Sequence, residues 1–188
     1  LIENTISTIN GYTYDEYGNL LSTTDEYGYS DYYGYNNLSL ITHYRDKEKN
    51  LWQREYDEQG NLTVETDSLE RKTQYQYNSM GLPVSIQDAK GGVKQLSYNK
   101  QGQLTQYIDC SGKATHWQYD ERGRLKQTAN ALGETTQYVY TELSTIPQSP
   151  LAKDLPLNAI GQLEKIIHAD GATEHFIHDA EGRLLVHI

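Results

Sequence analysis

The sequence predicts an all-β protein made of tandem 21-residue β-hairpin repeats that form a long, curled antiparallel strip. Three observations predict it. Tyrosine returns every 21 residues at Tyr14, Tyr35, Tyr56, Tyr77, Tyr98, Tyr119 and Tyr140. Each period carries two turn signatures, and the stretches between the turns alternate in polarity while no window sustains a helical period. A fixed period of this size marks one supersecondary unit copied many times, each copy stacked on its neighbours because it cannot bury its own face.

The first turn follows the tyrosine. Tyr14-Asp15-Glu16-Tyr17-Gly18-Asn19-Leu20 recurs as Tyr56-Asp57 through Gly60 to Leu62, as Tyr98-Asn99 through Gly102 to Leu104, and as Tyr119-Asp120 through Gly123 to Leu125, giving Tyr-[Asp/Asn]-x-x-Gly-x-Leu. Tyr77 to Gly81 keeps the first five positions, and His178-Asp179 through Gly182 to Leu184 keeps all but the tyrosine. Around Tyr35 the copy is worn, with Ser39 in place of glycine. A second turn begins eleven residues after each tyrosine, at Asp25, Asp46, Asp67, Asp88, Asp109 and Asn130, with Gly28, Gly91, Gly112 and Gly133 three residues further on and Gly171 in the same phase. Asp or Asn at the first position bonds the turn backbone, and glycine at the fourth tolerates positive φ, the pattern of a type I turn closing a short hairpin loop.

About six residues remain on each side, a common strand length. In Thr73-Gln74-Tyr75-Gln76-Tyr77 the rings fall on one face and the amides on the other, and Thr115 to Tyr119 and Thr136 to Tyr140 repeat the pattern. On the partner strand, alternation puts Leu62, Val64 and Thr66 on one face, opposite Thr63 and Glu65. Constant register implies a tyrosine column, a second aromatic column at Tyr12, Tyr33, Tyr75, Trp117, Tyr138 and Phe176, and a column of leucines that includes Leu163 and Leu184. With 17 tyrosines, one phenylalanine, 36% hydrophobic residues and a mean hydropathy of −0.78, tyrosine is the main apolar material. Such a ring suits a partly dry sheet face provided its hydroxyl finds a partner.

The expected organisation is seven repeats over 1–140, a Pro-rich insertion loop over 141–156 and two further repeat units over 157–188, all one array and a piece of a longer chain. The insertion is read from phase: Gly123 and Gly161 are 38 residues apart, 17 more than one period, before Gly161 and Gly182 return to 21. Pro147, Pro150 and Pro156 fall within it and exclude a continued ladder there.

The Tyr-Asp-x-x-Gly-x-Leu unit at this period resembles the YD repeat of the RHS family, over roughly Tyr12 to Leu184. Members of that family include bacterial polymorphic toxins, the C components of insecticidal Tc toxins, wall-associated toxins and the animal teneurins. The resemblance implies a β-strip spiralling into a hollow shell that encloses a C-terminal toxin domain, exported as part of a larger bacterial protein and secreted or held at the cell surface. It implies as partners the rest of the shell and the enclosed toxin, no cofactor, and no turnover by the shell itself. The shell-terminating Asp-Pro segment of bacterial members has no counterpart here, since the sequence contains no Asp-Pro.

Charge and composition exclude other classes. A net charge of −10 without a basic run repels a phosphate backbone, so nucleic acid is not an expected partner. No apolar run reaches the roughly 20 residues of a membrane span. Cys110 is alone, in one more copy of the second turn, and reads as structural instead of nucleophilic. His168, His175 and His178 with Asp170 and Glu174 resemble a metal cluster on paper, but a regular strand points His175 and His178 to opposite faces. The expectation is therefore no catalytic, cofactor or metal residue. The residues of interest are those of the repeat: Tyr14, Asp15, Gly18, Leu20, Tyr35, Tyr56, Asp57, Gly60, Leu62, Tyr77, Gly81, Tyr98, Gly102, Leu104, Tyr119, Asp120, Gly123, Leu125, Tyr140, Gly161, Leu163, Asp179, Gly182 and Leu184. A carbohydrate or cell-wall binding module is the alternative, along with a teneurin-like adhesion segment. Trp52 and Trp117 occupy different repeat phases, however, and form no repeated cage.

Overall fold

A computed structural model describes residues 11–142, 161–179 and 181–188. Among the described residues every regular element is a strand. The chain divides into two compact units, Leu1–Gln95 and Leu96–Ile188. The first holds β1 (Gly11–Tyr14), β2 (Leu20–Thr24), β3 (Ser30–Tyr35), β4 (Ile41–Arg45), β5 (Leu51–Tyr56), β6 (Leu62–Thr66), β7 (Lys72–Tyr77), β8 (Pro83–Gln87) and the start of β9 (Val93–Tyr98). The second holds the end of β9, then β10 (Leu104–Ile108), β11 (Ala114–Tyr119), β12 (Leu125–Ala129), β13 (Thr135–Tyr140), β14 (Leu163–Ile167), β15 (Thr173–His178) and β16 (Leu184–His187). Within each unit the strand order equals the chain order and neighbouring strands are antiparallel. Tandem hairpins are therefore the fold, as the 21-residue period requires.

Both turns close alike. In the tyrosine turn the Gly60 N–H donates to the Asp57 carbonyl (3.1 Å) and the Asp57 N–H to the Asn61 carbonyl (2.9 Å). Gly60 has φ 85°, completing a type I turn with a glycine bulge. In the second turn Glu70 (φ 62°) and Lys49 (φ 70°) take the glycine place, and Ser39 (φ 58°) does the same in the tyrosine turn after Tyr35. A non-glycine residue there costs roughly 1–2 kcal/mol. That the turn survives at these positions shows that the flanking ladders outweigh this strain.

The two hairpins of a period differ in register. Across the second turn pairing is regular, with Val64 opposite Gln74, Glu65 opposite Thr73 and Thr66 opposite Lys72. Across the tyrosine turn Tyr56 pairs with Leu62 but Glu55 pairs with Val64, so Thr63 is an extra residue, a β-bulge. The same shift recurs at Thr13/Tyr14, Gly34/Tyr35, Gln76/Tyr77, Gln118/Tyr119, Val139/Tyr140 and Ile177/His178. This corrects the sequence expectation for β6. Leu62 shares the face of Tyr56, Arg54 and Glu65, while Val64 and Thr66 lie on the other, because one inserted residue reverses the alternation.

A second correction concerns the columns. Equivalent residues of successive repeats lie two strands apart, roughly 9.5 Å, too far for rings to touch. The strand between fills the gap, as Tyr44 of β4 does between Tyr33 of β3 and Trp52 of β5, with ring centroids 5.2 Å apart on each side. Among the described residues no hydrophobic side chain is fully buried, and the buried side chains are polar, including Thr66, Thr141, His178 and Asp179. Each unit is a single layer stabilised by half-buried cross-strand pairs, contributing roughly 0.2–1 kcal/mol apiece.

Candidate functional site

The site of this chain is distributed, one copy per repeat, and its centre is a tyrosine clasp. Tyr35, Tyr56, Tyr77, Tyr119 and Tyr140 donate their hydroxyls to the carbonyls of Leu20, Ile41, Leu62, Leu104 and Leu125, at 2.9, 2.8, 2.7, 2.8 and 2.8 Å. The acceptor is always fifteen residues earlier, in the preceding tyrosine hairpin. Leu20, Ile41, Leu62 and Leu125 are also the residues at which the bulge begins, where the ladder is locally broken. The hydroxyl thus supplies a donor to a main-chain oxygen beside a discontinuity, which a phenylalanine could not do. Burial pushes the Tyr77 phenol above its ordinary pKa, and negative charge at Tyr75 and Asp57 would add to the rise. For Tyr140 burial also leads, with the Arg124 cation opposing it. In Tyr77 and Tyr140 burial therefore favours the protonated, donating phenol.

The acid after the tyrosine organises the turn. One Asp57 oxygen accepts the N–H groups of Gln59 (3.0 Å) and Asn61 (2.8 Å), and the other accepts the Asn61 amide (2.9 Å). The Asn61 amide, and then the turn N–H groups, hold the Asp57 carboxyl below the usual aspartate range against a smaller effect of desolvation. Asp15 is lowered in the same way, with Asn19 as the leading cause. In Asp179 the Arg183 backbone N–H leads. Asp120 is pulled up by burial, its largest influence, but the Arg124 backbone and side-chain hydrogen bonds together outweigh it. Sequence reading identified the acid and the glycine but missed their companion four residues after the acid. Asn19, Asn61, Gln103, Arg124 and Arg183 occupy that place. Its signal was present: an amide or arginine precedes the leucine in each of these copies.

Arg124 does more than its counterparts. Its guanidinium lies 4.4 Å from the centre of the Tyr140 ring, donates to Asp120 (2.6 Å) and pairs with Glu142, which also meets Arg122 (3.2 Å). This knot sits at the neck of the insertion. There the Thr141 N–H donates to the Gln162 carbonyl (2.9 Å) and the Gly161 N–H to the Thr141 carbonyl (2.8 Å). These two bonds match those of Asp57, Gly60 and Asn61, so the insertion replaces the two central residues of a tyrosine turn and leaves its closing bonds intact. The proline-rich part of the expected 141–156 loop, with Pro147, Pro150 and Pro156, lies outside the described residues.

The histidines are not arranged as the paper cluster had them. His168 Nε2 and His187 Nε2 meet the two oxygens of Glu174 at 2.7 and 2.6 Å, and His187 stacks on Phe176 with centroids 4.5 Å apart. His175 and His178 lie on opposite faces, and buried His178 occupies the clasp column. His168 first, then His187, hold Glu174 below the usual glutamate range. Among the described residues no group of three His, Cys, Asp or Glu side chains is set to hold a metal. Cys110 is exposed. Tyr44 has both ring faces against Tyr33 and Trp52, so it offers its edge instead of a stacking platform for a sugar. No helix among the described residues is long and apolar enough to cross a membrane.

A tandem array of bulged β-hairpins, tied from repeat to repeat by a tyrosine hydroxyl, defines a class of protein by its recurring unit instead of by a pocket. The RHS repeat model matches residues 56–93 and 98–135, so the chain carries RHS repeats over those stretches. No curated protein matches it. Its backbone is similar to the crystal structure of TcdB2-TccC3 (13% identity, TM-score 0.45, covering 95% of this chain and 13% of that one). It is also similar to TcdB2-TccC3-Cdc42 (15% identity, TM-score 0.42, covering 96% and 13%). A third likeness is to the Photorhabdus luminescens Tc holotoxin pore carrying a TccC3 mutation (16% identity, TM-score 0.38, covering 95% and 13%). The chain thus spans about an eighth of the length of the chains it matches.

Proposed function

We propose that this chain is a non-catalytic wall segment of an RHS shell, which encloses a C-terminal toxin cargo within a larger exported bacterial protein. The observation that carries the reading is where the repeated polar groups go. The clasp hydroxyls of Tyr35, Tyr56, Tyr77, Tyr119 and Tyr140 and the turn carboxylates of Asp15, Asp57, Asp120 and Asp179 are engaged within the array itself, on backbone and on neighbouring repeat side chains. Residues used in this way in copy after copy build a partition, whereas a reacting centre calls for one unique constellation.

The test uses the full-length parent protein with its cargo. Limited proteolysis should leave the cargo intact behind an undisturbed wall, and Gly60→Val combined with Gly123→Val should open it to cleavage. Equal cleavage of the cargo in both proteins would overturn the enclosure.

A further inference from the structure

We propose that the companion residue, four places after each tyrosine-turn acid, is an inter-repeat positioning residue that makes the strip hinged. It holds successive hairpins of the Leu96–Ile188 unit together along the tyrosine-turn edge and leaves them free to spread along the second-turn edge. The inference stands on turn geometry and not on cargo enclosure.

In the tyrosine turns the companion reaches forward to the next copy. Asn99 Nδ2 donates to the Gln103 amide oxygen (2.9 Å) while Gln103 Nε2 donates to the Gly123 carbonyl (2.6 Å), so one amide bridges its own turn and the following one. Asn19 does the same, donating to Asp15 (2.8 Å) and to Ser39 Oγ (3.1 Å). A Cβ at the next glycine would run into this side chain: 3.3 Å from Gln103 Nε2 at Gly123, 2.8 Å from Gln162 Nε2 at Gly182 and 3.4 Å from Asn61 Oδ1 at Gly81. Gln103 cannot give way without losing a bond at one end or the other. Glycine serves twice at Gly123, for its φ of 78° and for the space it yields to the preceding repeat.

The second-turn edge is built differently. A Cβ at Gly112, Gly133 or Gly171 would meet nothing within 4 Å. The residue four places after the acid turns back into its own turn instead, as Arg71 does to Asp67 (2.6 Å) and Glu134 does to the Asn130 amide (2.6 Å). Substitutions agree: Lys49 and Glu70 put long side chains at the glycine place of second turns, whereas Ser39 puts a short one in a tyrosine turn and accepts the Asn19 bond. In the first unit Lys47 ties the turns at Asp25 and Asp46, its N–H donating to Asp31 (3.0 Å) and its ammonium lying 3.9 Å from Asp25, so the yielding edge is assigned to the second unit. The Tyr119 and Tyr140 clasps also end beside the tyrosine turns, so both ties sit on one edge. Segments with fewer ties open at lower free energy.

The experiment is hydrogen exchange by mass spectrometry on the full-length parent protein. In the wild type residues 109–113 and 130–134 should exchange faster than residues 99–103 and 120–124. Gln103→Ala removes the bridge and should speed exchange at residues 120–124, one repeat away, about two- to tenfold, the worth of one net hydrogen bond. Lys113→Ala, the matching change in a second turn, should leave residues 130–134 unmoved. Gly123→Ala and Gly133→Ala form a second pair, matched at φ 78° and 79°. The first should speed exchange at residues 99–103 as well as in its own turn, and the second in its own turn alone. Should Gly123→Ala unfold, the Gln103→Ala comparison decides by itself. Exchange at residues 120–124 that ignores Gln103→Ala, second turns that exchange no faster than tyrosine turns, or a Lys113→Ala effect that spreads as far as that of Gln103→Ala would each overturn the proposal.

Discussion

Replacing Tyr77 by phenylalanine removes one oxygen and tests the clasp with little change in packing. The lost contact is the 2.7 Å bond to the Leu62 carbonyl. A net hydrogen bond contributes roughly 0.5–1.5 kcal/mol, and Leu62 is half-buried, so water can partly replace the hydroxyl. The expected loss is about 1 kcal/mol. In a one-dimensional array neighbour terms add, so phenylalanine at Tyr35, Tyr56, Tyr77, Tyr119 and Tyr140 together should cost about 5 kcal/mol, comparable to the whole stability of many domains. Urea unfolding followed by tryptophan fluorescence and circular dichroism measures both. The raised phenol pKa adds a second signature. The protonated form is favoured by folding, so the stabilisation is complete below the unfolded tyrosine pKa of about 10 and is lost as pH rises through the higher folded value. The multiple variant should lose less stability than wild type on alkaline titration. A Tyr77→Phe change under about 0.3 kcal/mol, together with identical alkaline profiles, would refute the clasp as a stabilising element.

Three other outcomes follow from the turns. Gly60→Val and Gly123→Val force a branched residue to φ 85° and 78° and should each destabilise by at least about 1–2 kcal/mol in thermal or urea unfolding; unchanged midpoints would contradict the turn geometry. Glu70→Gly removes strain at φ 62° and should raise stability by up to about 1 kcal/mol by the same measurement. Asp57→Asn keeps the turn, since Asn78 already accepts the same two N–H bonds at 2.9 and 3.0 Å. Its effect should appear in acid: the depressed Asp57 pKa means stability present above the ordinary aspartate value and lost as pH falls through the folded one. Acid titration by circular dichroism should therefore show a shallower loss in the variant.

Much of the fold was legible because its causes are local. Asp or Asn followed three residues later by glycine is a turn whatever lies around it, and alternating stretches of six residues between such turns admit few structures besides strands. The worn copy at Ser39 was legible for the same reason, since phase located the glycine position and the residue there has φ 58°. The faces of β6 were not legible. The bulge at Thr63 is a pairing event, set by which residue of β5 faces which residue of β6, and it leaves no alternation signal on either strand alone.

By itself the sequence determined the unit, its period, its two turns and its resemblance to the YD repeat, because backbone preferences and turn side chains act within a few residues. Tertiary structure alone decided how the units are tied. The fifteen-residue reach from tyrosine to carbonyl, the interleaving of Tyr33, Tyr44 and Trp52, and the grip of Arg124 on Glu142 at the insertion neck all depend on strands brought side by side. A 4.8 Å strand spacing and a single inserted residue set which groups meet, and neither is written along one strand.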